Sequence, residues 1–424
     1  METSLHSIVP GQNRYYTQTI RVGMDFSQIR RDFPTMRNDQ GVYLDSACQS
    51  LRPDSVIDAI REYYERCPAC GGRSVHHLSN EVSVRVDETR ETLCSFFNGE
   101  DPDHFVFTRN TTDGINTVAG GFGLKKGDVV VTTDSEHNSN YVPWLNLRDS
   151  VGIVIRRSVS GTEGIFDIES FKEQMGKDVK LVSVCHVSNV TGVEVPVKDV
   201  ADIAHEYGAK VLVDGCAAAP HIKVDIRDSG ADFYAFSMHK LLGPSGFGVL
   251  YGRPGILEEL GMRSFGGGTV GMVTYDSATF APVPDRFEAG LQDYAGVFGT
   301  KAAIDYISKI GMDEVERHDS ELVKYMMDSV EDVRGLSVVG PSDPSKRRSI
   351  FSFNIAGLLS HDIAMMLDSI DGIMIRSGMH CAHSFFDGRG IDGSARASVY
   401  LYNDKSDIDR FSAALRKVAE TFSS

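Results

Sequence analysis

The sequence predicts an α/β protein, with a large domain built on a mostly parallel sheet wrapped by helices and a smaller C-terminal α/β domain. Three observations predict it. Short β-branched runs alternate with helical patterns as far as about residue 300. Beyond that point a long helical stretch is followed by a second set of short strands. A chain of 424 residues also exceeds one ordinary domain, so two lobes sharing a cleft are expected.

Taken in order, the opening "METSLHSIVPGQNRYY" lacks the basic and then apolar pattern of a secretory signal, and residues 1–23 read as a flexible or partner-docked tail. The large domain is expected over 24–298, with its first segment packing on the small domain, which spans 299–424. Strand candidates are "FVFTR", "DVVVTT", "GIVIRRS", "KLVSVCHV", "AKVLVDG", "FYAFS" and "FGVLYG". Helices lie between them. In "VKDVADIAHEYG" apolar residues recur at three and four, and Gly208 suits a helix C-cap. The stretch "GTKAAIDYISKIGMDEVERHDSELVKYMMDSV" reads as helical, and "LSVVG", "IFSFNIAG", "IMIRSG" and "ARASVYLY" as the strands of the smaller lobe.

Composition narrows the function. Hydrophobic residues make up 41% and charged residues 24%, and no apolar run reaches the length of about 18 residues that spans a bilayer, so a cytoplasmic protein with no membrane partner is expected. A net charge of −16 without a basic stripe argues against nucleic acid as a partner. Seven scattered cysteines suit reduced thiols better than a disulfide framework.

In open α/β sheets ligands bind beyond the carboxyl ends of the strands. Asp214 ends "KVLVDG", Asn189 follows "VSVCHVS", His137 follows "VVTTDSE", and Lys240 follows "FYAFSMH". Singly, each could be a turn or surface residue. "RNTTDGIN" passes from a strand into a helix whose first N–H groups could hold an anion, although Thr111 or Thr112 could instead simply cap it. Ser237 and His239 flank the lysine and could add donors to the same anion. A phosphate cradle, a strand-end carboxylate, an imidazole and a lysine are together what pyridoxal phosphate needs. The lysine forms a Schiff base, the carboxylate keeps the ring nitrogen protonated, and the imidazole stacks on the ring.

The motifs "YLDSA", "RNTTDGIN", "EHNSNYVPW", "HVSNVTG", "KVLVDG", "FSMHKLLGP", "RFEAG", "RSGMHCA" and "ARASVYLYN" fall in the order of the class V aminotransferase family of fold type I. From about Met24 onward the chain most resembles the SUF-type cysteine desulfurases of that family. The resemblance implies Lys240 as the Schiff-base lysine, Asp214 as the partner of the pyridine nitrogen and His137 as the stacking and proton-transferring residue. It implies Thr111, Thr112, Ser237 and His239 at the phosphate, with Asn189 also near the cofactor. Asn189, Arg396 and Arg376 would hold the substrate, a guanidinium fork being apt for a carboxylate. Cys381 falls where the desulfurases keep their sulfur-accepting thiol. L-cysteine would then yield alanine and a persulfide on Cys381, for delivery to an acceptor protein in iron–sulfur or other sulfur biosynthesis. A homodimer is implied, with "RFEAG" reaching the neighbouring subunit's cofactor site.

A free cysteine is most often a small buried residue, but "SGMHCAHS" surrounds Cys381 with His380 and His383 in a loop, a setting that favours a thiolate. The chain also departs from the family. Ala217 replaces a glutamine that would reach the cofactor's phenolic oxygen, unless Cys216, His221 or water substitutes for it. Leu291 replaces a threonine after "RFEAG", and Met238 a glycine before the histidine of the lysine motif. "CPACGGR" places Cys67 and Cys70 in a CxxC pair that supplies only two of four zinc ligands, so no metal is assigned, and a role in passing sulfur onward stays open. Three readings therefore stand: a cysteine desulfurase, another enzyme of the family such as a selenocysteine lyase, β-lyase or aminotransferase, and a non-catalytic scaffold.

Overall fold

The computed structural model describes residues 25–38 and 40–421, and the expected tail lies outside them. Seven strands form the large sheet: β1 (Phe105–Thr108), β2 (Val129–Thr133), β3 (Val154–Ser158), β4 (Val179–Cys185), β5 (Lys210–Asp214), β6 (Phe233–Ser237) and β7 (Gly248–Gly252). They correspond to the seven candidate runs. Their spatial order is β1-β7-β6-β5-β4-β2-β3. The β6–β5–β4–β2–β3 run is parallel throughout, whereas β7 is antiparallel to both of its neighbours. Most of these strands are buried on both faces, as an apolar, β-branched parallel sheet between helix layers must be; β3 is the partly exposed edge. Helix Val197–Glu206 ends as its pattern predicts, with Gly208 just beyond it at φ +79°.

The smaller sheet is antiparallel, in the order β8 (Leu336–Val339), β9 (Ile350–Ile355), β11 (Ser394–Ser398), β10 (Arg376–Gly378). Its apolar core takes in Val42 and Leu44 from early in the chain together with Phe351, Phe353, Leu367 and Phe411. Three local readings change. The long helical stretch is two helices, Tyr294–Ile310 and Met312–Val330, interrupted at Gly311, which sits at φ +91°. The first of these buries Val297, Ala303, Ile304 and Ile307 in the core of the large sheet, and residue 299 lies within it. "IMIRSG" divides because its halves find different partners: Ile373–Met374 pairs in parallel with Val42–Tyr43, while Arg376–Gly378 pairs with β11. In "ARASVYLY" the strand stops at Ser398, and buried Tyr400 and Tyr402 follow in irregular chain. Among the described residues no helix is long and apolar enough to cross a membrane.

Candidate active site

The carboxyl ends of β1, β2, β4, β5 and β6 open onto one cavity of about 290 Å³, closed on its other side by β10, β11 and the loop between them. All eleven site residues expected from the sequence line it.

At its floor, β1 turns into the helix Thr111–Gly121. The N-cap is Asn110, whose side chain accepts from the Asp113 N–H at 2.9 Å, and not a threonine. The threonine hydroxyls are thereby released from capping. Thr111 meets the Ser237 hydroxyl through both its N–H (2.8 Å) and its Oγ1 (2.6 Å), and Thr112 Oγ1 meets Ser139 Oγ at 2.7 Å. The acidic residue of this turn, Asp113, is bound by Arg109 and Arg263. First-turn N–H groups, four hydroxyls and His239 thus surround one end of the cavity, a donor set suited to phosphate. Close passage of β7 below this turn requires glycine: a Cβ on Gly248 would lie 2.5 Å from the Asn110 Cα.

At the end of β5, Asp214 Oδ1 accepts from the Cys216 N–H at 3.0 Å. Burial pushes its carboxyl up, opposed by that bond and by the charge of Lys240. A cationic N–H arriving from the cavity would relieve this cost, as a pyridinium does. His137, after β2, is held well below the usual imidazole range, at about 3, by burial first and then by the charges of Lys240, Arg396 and Arg376. The ring is therefore neutral. Its Nδ1 accepts from the Ser139 N–H at 3.1 Å, which assigns the ring proton to Nε2. His239 is likewise held neutral, at about 4, by burial and the charges of Lys240 and Arg52. The phosphate-suited end, the carboxylate and the neutral ring fit pyridoxal phosphate, with Lys240 lining the same cavity.

Arg396 on β11 is fully buried. Its Nη1 donates to the Asn189 carbonyl at 2.9 Å, its Nη2 to Asp45 at 3.3 Å, and its Nε has no partner among the described residues. Arg396 lines the cavity, and a guanidinium there suits an incoming carboxylate. The Asn189 side chain donates to the His380 carbonyl at 2.7 Å and so holds the loop that carries the thiol.

That loop is strained. His380 and Cys381 take φ of +49° and +57°, left-handed values that non-glycine residues rarely adopt. The Cys381 carbonyl accepts from the Asn138 N–H at 2.5 Å, which ties the loop to the segment after β2. The expected histidine setting of the thiol is not what forms. His380 turns inward, bonded to Ser394 at 2.9 Å and held neutral by burial, and His383 bonds Asn138 at 2.9 Å. The cation at the Cys381 sulfur is Arg376, at 3.9 Å.

Of the stand-ins for the missing glutamine, Cys216 lines the cavity beside Ala217, while His221 is buried against Asp319 at 2.7 Å and does not line it. The sequence reading missed Asp45, inside the motif "YLDSA", and Cys48, which directly follows it; the signal was a cysteine adjoining a quoted motif. The CPAC segment lies away from the cavity, with Cys67 buried among Val82, Tyr294 and Phe298.

Comparison with known proteins agrees with this geometry. The family profile for aminotransferase class V matches residues 42–411. A probable cysteine desulfurase of Halalkalibacterium halodurans is 39% identical over 94% of this chain and 99% of its own. The cysteine desulfurase of Haloferax volcanii is 36% identical over 94% of this chain and 98% of its own. Among solved structures, the apo cysteine desulfurase of Thermococcus onnurineus matches with a TM-score of 0.90 at 35% identity, covering 93% of this chain and 98% of its own. An Escherichia coli cysteine desulfurase in its S-sulfonic acid form matches with a TM-score of 0.88 at 31% identity, over 94% of this chain and 99% of its own. With a profile match across most of its length and relatives of this identity, the chain belongs to the class V aminotransferase family.

Proposed function

We propose that this chain is a pyridoxal-phosphate-dependent cysteine desulfurase that converts L-cysteine to L-alanine and takes up the sulfur on Cys381. One observation carries the reading: a single cavity collects Lys240, Asp214 and a phosphate-suited helix start, and has a free thiol with a guanidinium beside it at its rim. The relatives named above are cysteine desulfurases of nearly equal length.

The residues divide the work. Thr111, Thr112, Ser237 and His239 hold the phosphate, Asp214 pairs with the pyridinium, and Lys240 is the covalent anchor. When bound, the cofactor supplies an electron sink that weakens bonds to the substrate carbons. Arg396 orients the substrate carboxylate, aided by Asn189. The neutral His137 is placed to carry a proton, since an uncharged imidazole can take one up, and Lys240 lines the same cavity for the same task. Cys381, as thiolate beside Arg376, attacks the substrate sulfur; the new S–S bond forms as the substrate C–S bond breaks, and alanine leaves after protonation.

We place the reaction in a reducing compartment, the cytoplasm, where all seven cysteines would stay free as they are here. Delivery to an acceptor protein for iron–sulfur assembly follows from the persulfide chemistry. A homodimer is supported by an apolar surface around the hairpin Val270–Val273/Ala278–Phe280: Phe265, Met272, Val273, Tyr275, Phe280 and, nearby in sequence, Leu291 are all exposed in the single chain.

The test is peptide mass analysis after incubation of holoenzyme with cysteine, together with an assay for alanine. Sulfur on the Cys381 peptide and alanine in step with it are expected. If Cys381→Ser leaves sulfur release from cysteine untouched, the persulfide role fails.

A further inference from the structure

The cavity contains a second thiol in direct contact with the same cation. Arg376 donates through Nη1 to the Cys48 sulfur at 2.8 Å and through Nη2 to the Cys381 sulfur at 3.9 Å. Cys48 is not one of the core cysteines. Cys67 and Cys94 are buried away from the cavity and Cys185, though it lines the cavity, is buried, whereas Cys48 lines it and is half-buried. Its position is fixed by the turn that carries it. The Cys48 N–H donates to the Asp45 carbonyl at 3.0 Å, the Ala47 N–H to Ser398 Oγ at 2.9 Å, and Ser46 Oγ meets the Tyr402 hydroxyl at 2.7 Å.

We propose that Cys48 is a second sulfur-carrying residue, which takes the sulfur from Cys381 within the same site. The inference rests on the persulfide role of Cys381 proposed above. In the step, the Cys48 thiolate attacks the outer sulfur of the Cys381 persulfide. A Cys48–sulfur bond forms, the Cys381–sulfur bond breaks, and its electron pair stays on the Cys381 sulfur as thiolate. The transferred sulfur keeps its proton, and no oxidant or reductant is consumed. Negative charge moves from one sulfur to the other, and both ends of that movement face N–H groups of one guanidinium. The cation therefore stabilises attacking and leaving thiolates without having to move. A persulfide also extends the reach of the Cys381 sulfur by one S–S bond, about 2.05 Å. Emptied of sulfur, Cys381 is free to attack a second cysteine while the first sulfur waits on Cys48.

The experiment loads holoenzyme with limiting cysteine, quenches with an alkylating agent over a time course, and maps peptides without reductant. Sulfur is expected first on the Cys381 peptide and then on the Cys48 peptide. Their final ratio should be on the order of one, because the exchange makes and breaks the same kind of bond. Cys216, which lines the same cavity without a guanidinium partner, serves as internal control and should stay unloaded. In Cys381→Ser, loading of Cys48 should fall to the level of Cys216. Sulfur on Cys381 with none on Cys48 above the Cys216 level overturns the relay alone. So does a Cys48–Cys381 disulfide formed with release of sulfide, since attack would then fall on the inner sulfur. Loading of Cys48 that survives Cys381→Ser likewise overturns it. Absence of sulfur from Cys381 in the native protein removes the underlying desulfurase reading as well.

Discussion

Arg396→Lys is the sharpest perturbation of the substrate end of the site. The guanidinium uses Nη1 on Asn189 and Nη2 on Asp45 and leaves Nε without a partner. Lysine keeps the charge but not the fork, so one charge-assisted bond to a substrate carboxylate is lost. Such a bond contributes about 1.5–3 kcal/mol, which corresponds to roughly a 10- to 150-fold fall in kcat/KM for cysteine. Because Arg396 is fully buried, the substitution also disturbs Asp45, and activity alone would not separate the two effects. Cysteine methyl ester separates them, since it lacks the carboxylate charge. In a two-by-two comparison of enzyme against substrate, the variant should lose the stated factor with cysteine and far less with the ester. Equal losses on both substrates, or a loss with cysteine below about threefold, would refute the assignment of Arg396 to the carboxylate.

Further outcomes follow from the same geometry. Glu288, in "RFEAG", is buried and accepts both of its bonds to Arg90 Nη2, at 2.8 and 2.7 Å, and a third from the Phe107 N–H. Glu288→Ala should therefore cost about 3–5 kcal/mol in denaturant unfolding, and a loss under about 1 kcal/mol would contradict it. His186 is held neutral, at about 4, chiefly by burial, so its contribution is complete above the unfolded value of about 6.5 and is lost as pH falls from there toward 4. The stability gap between wild type and His186→Asn should shrink on acidification by about 1.4 kcal/mol per pH unit in that window, and a gap independent of pH would sink the claim. Tyr275→Asp, in the exposed hairpin, should shift sedimentation from a two-chain toward a one-chain mass, and an unchanged mass would remove the hairpin from the proposed dimer contact.

What was legible in the sequence is what local pattern determines. Asp214, Asn189, His137 and Lys240 stand at or just past the ends of buried β-branched strands, so finding the strands located the residues. Asparagine and threonine both cap helices well, and only the geometry shows that Asn110 does so and that Thr111 and Thr112 are released. The thiol's cation was misplaced for a related reason. His380 and His383 are neighbours of Cys381 in sequence, but the left-handed backbone at 380 and 381 turns the first inward and leaves Arg376 as the charge beside the sulfur. Asp45 and Cys48 were hidden because their place depends on pairing across the chain. Val42–Tyr43 joins Ile373–Met374, and the turn that follows is bonded to Ser398 at the end of β11.

The same long-range pairing links substrate binding to the spacing of the two thiols. Arg396 grips the Asn189 carbonyl and the Asp45 side chain, and Cys48 hangs from the turn that Asp45 begins. The Asn189 side chain holds the carbonyl immediately before Cys381. One guanidinium is thus bonded to residues of both segments that position a sulfur, and a second guanidinium, Arg376, lies between the sulfurs themselves. Loosening this arrangement by Arg396→Lys should therefore lower the share of sulfur that reaches Cys48, even at cysteine concentrations that saturate the weakened site. An unchanged share would mean that the two thiols are spaced by Arg376 and the backbone turns alone.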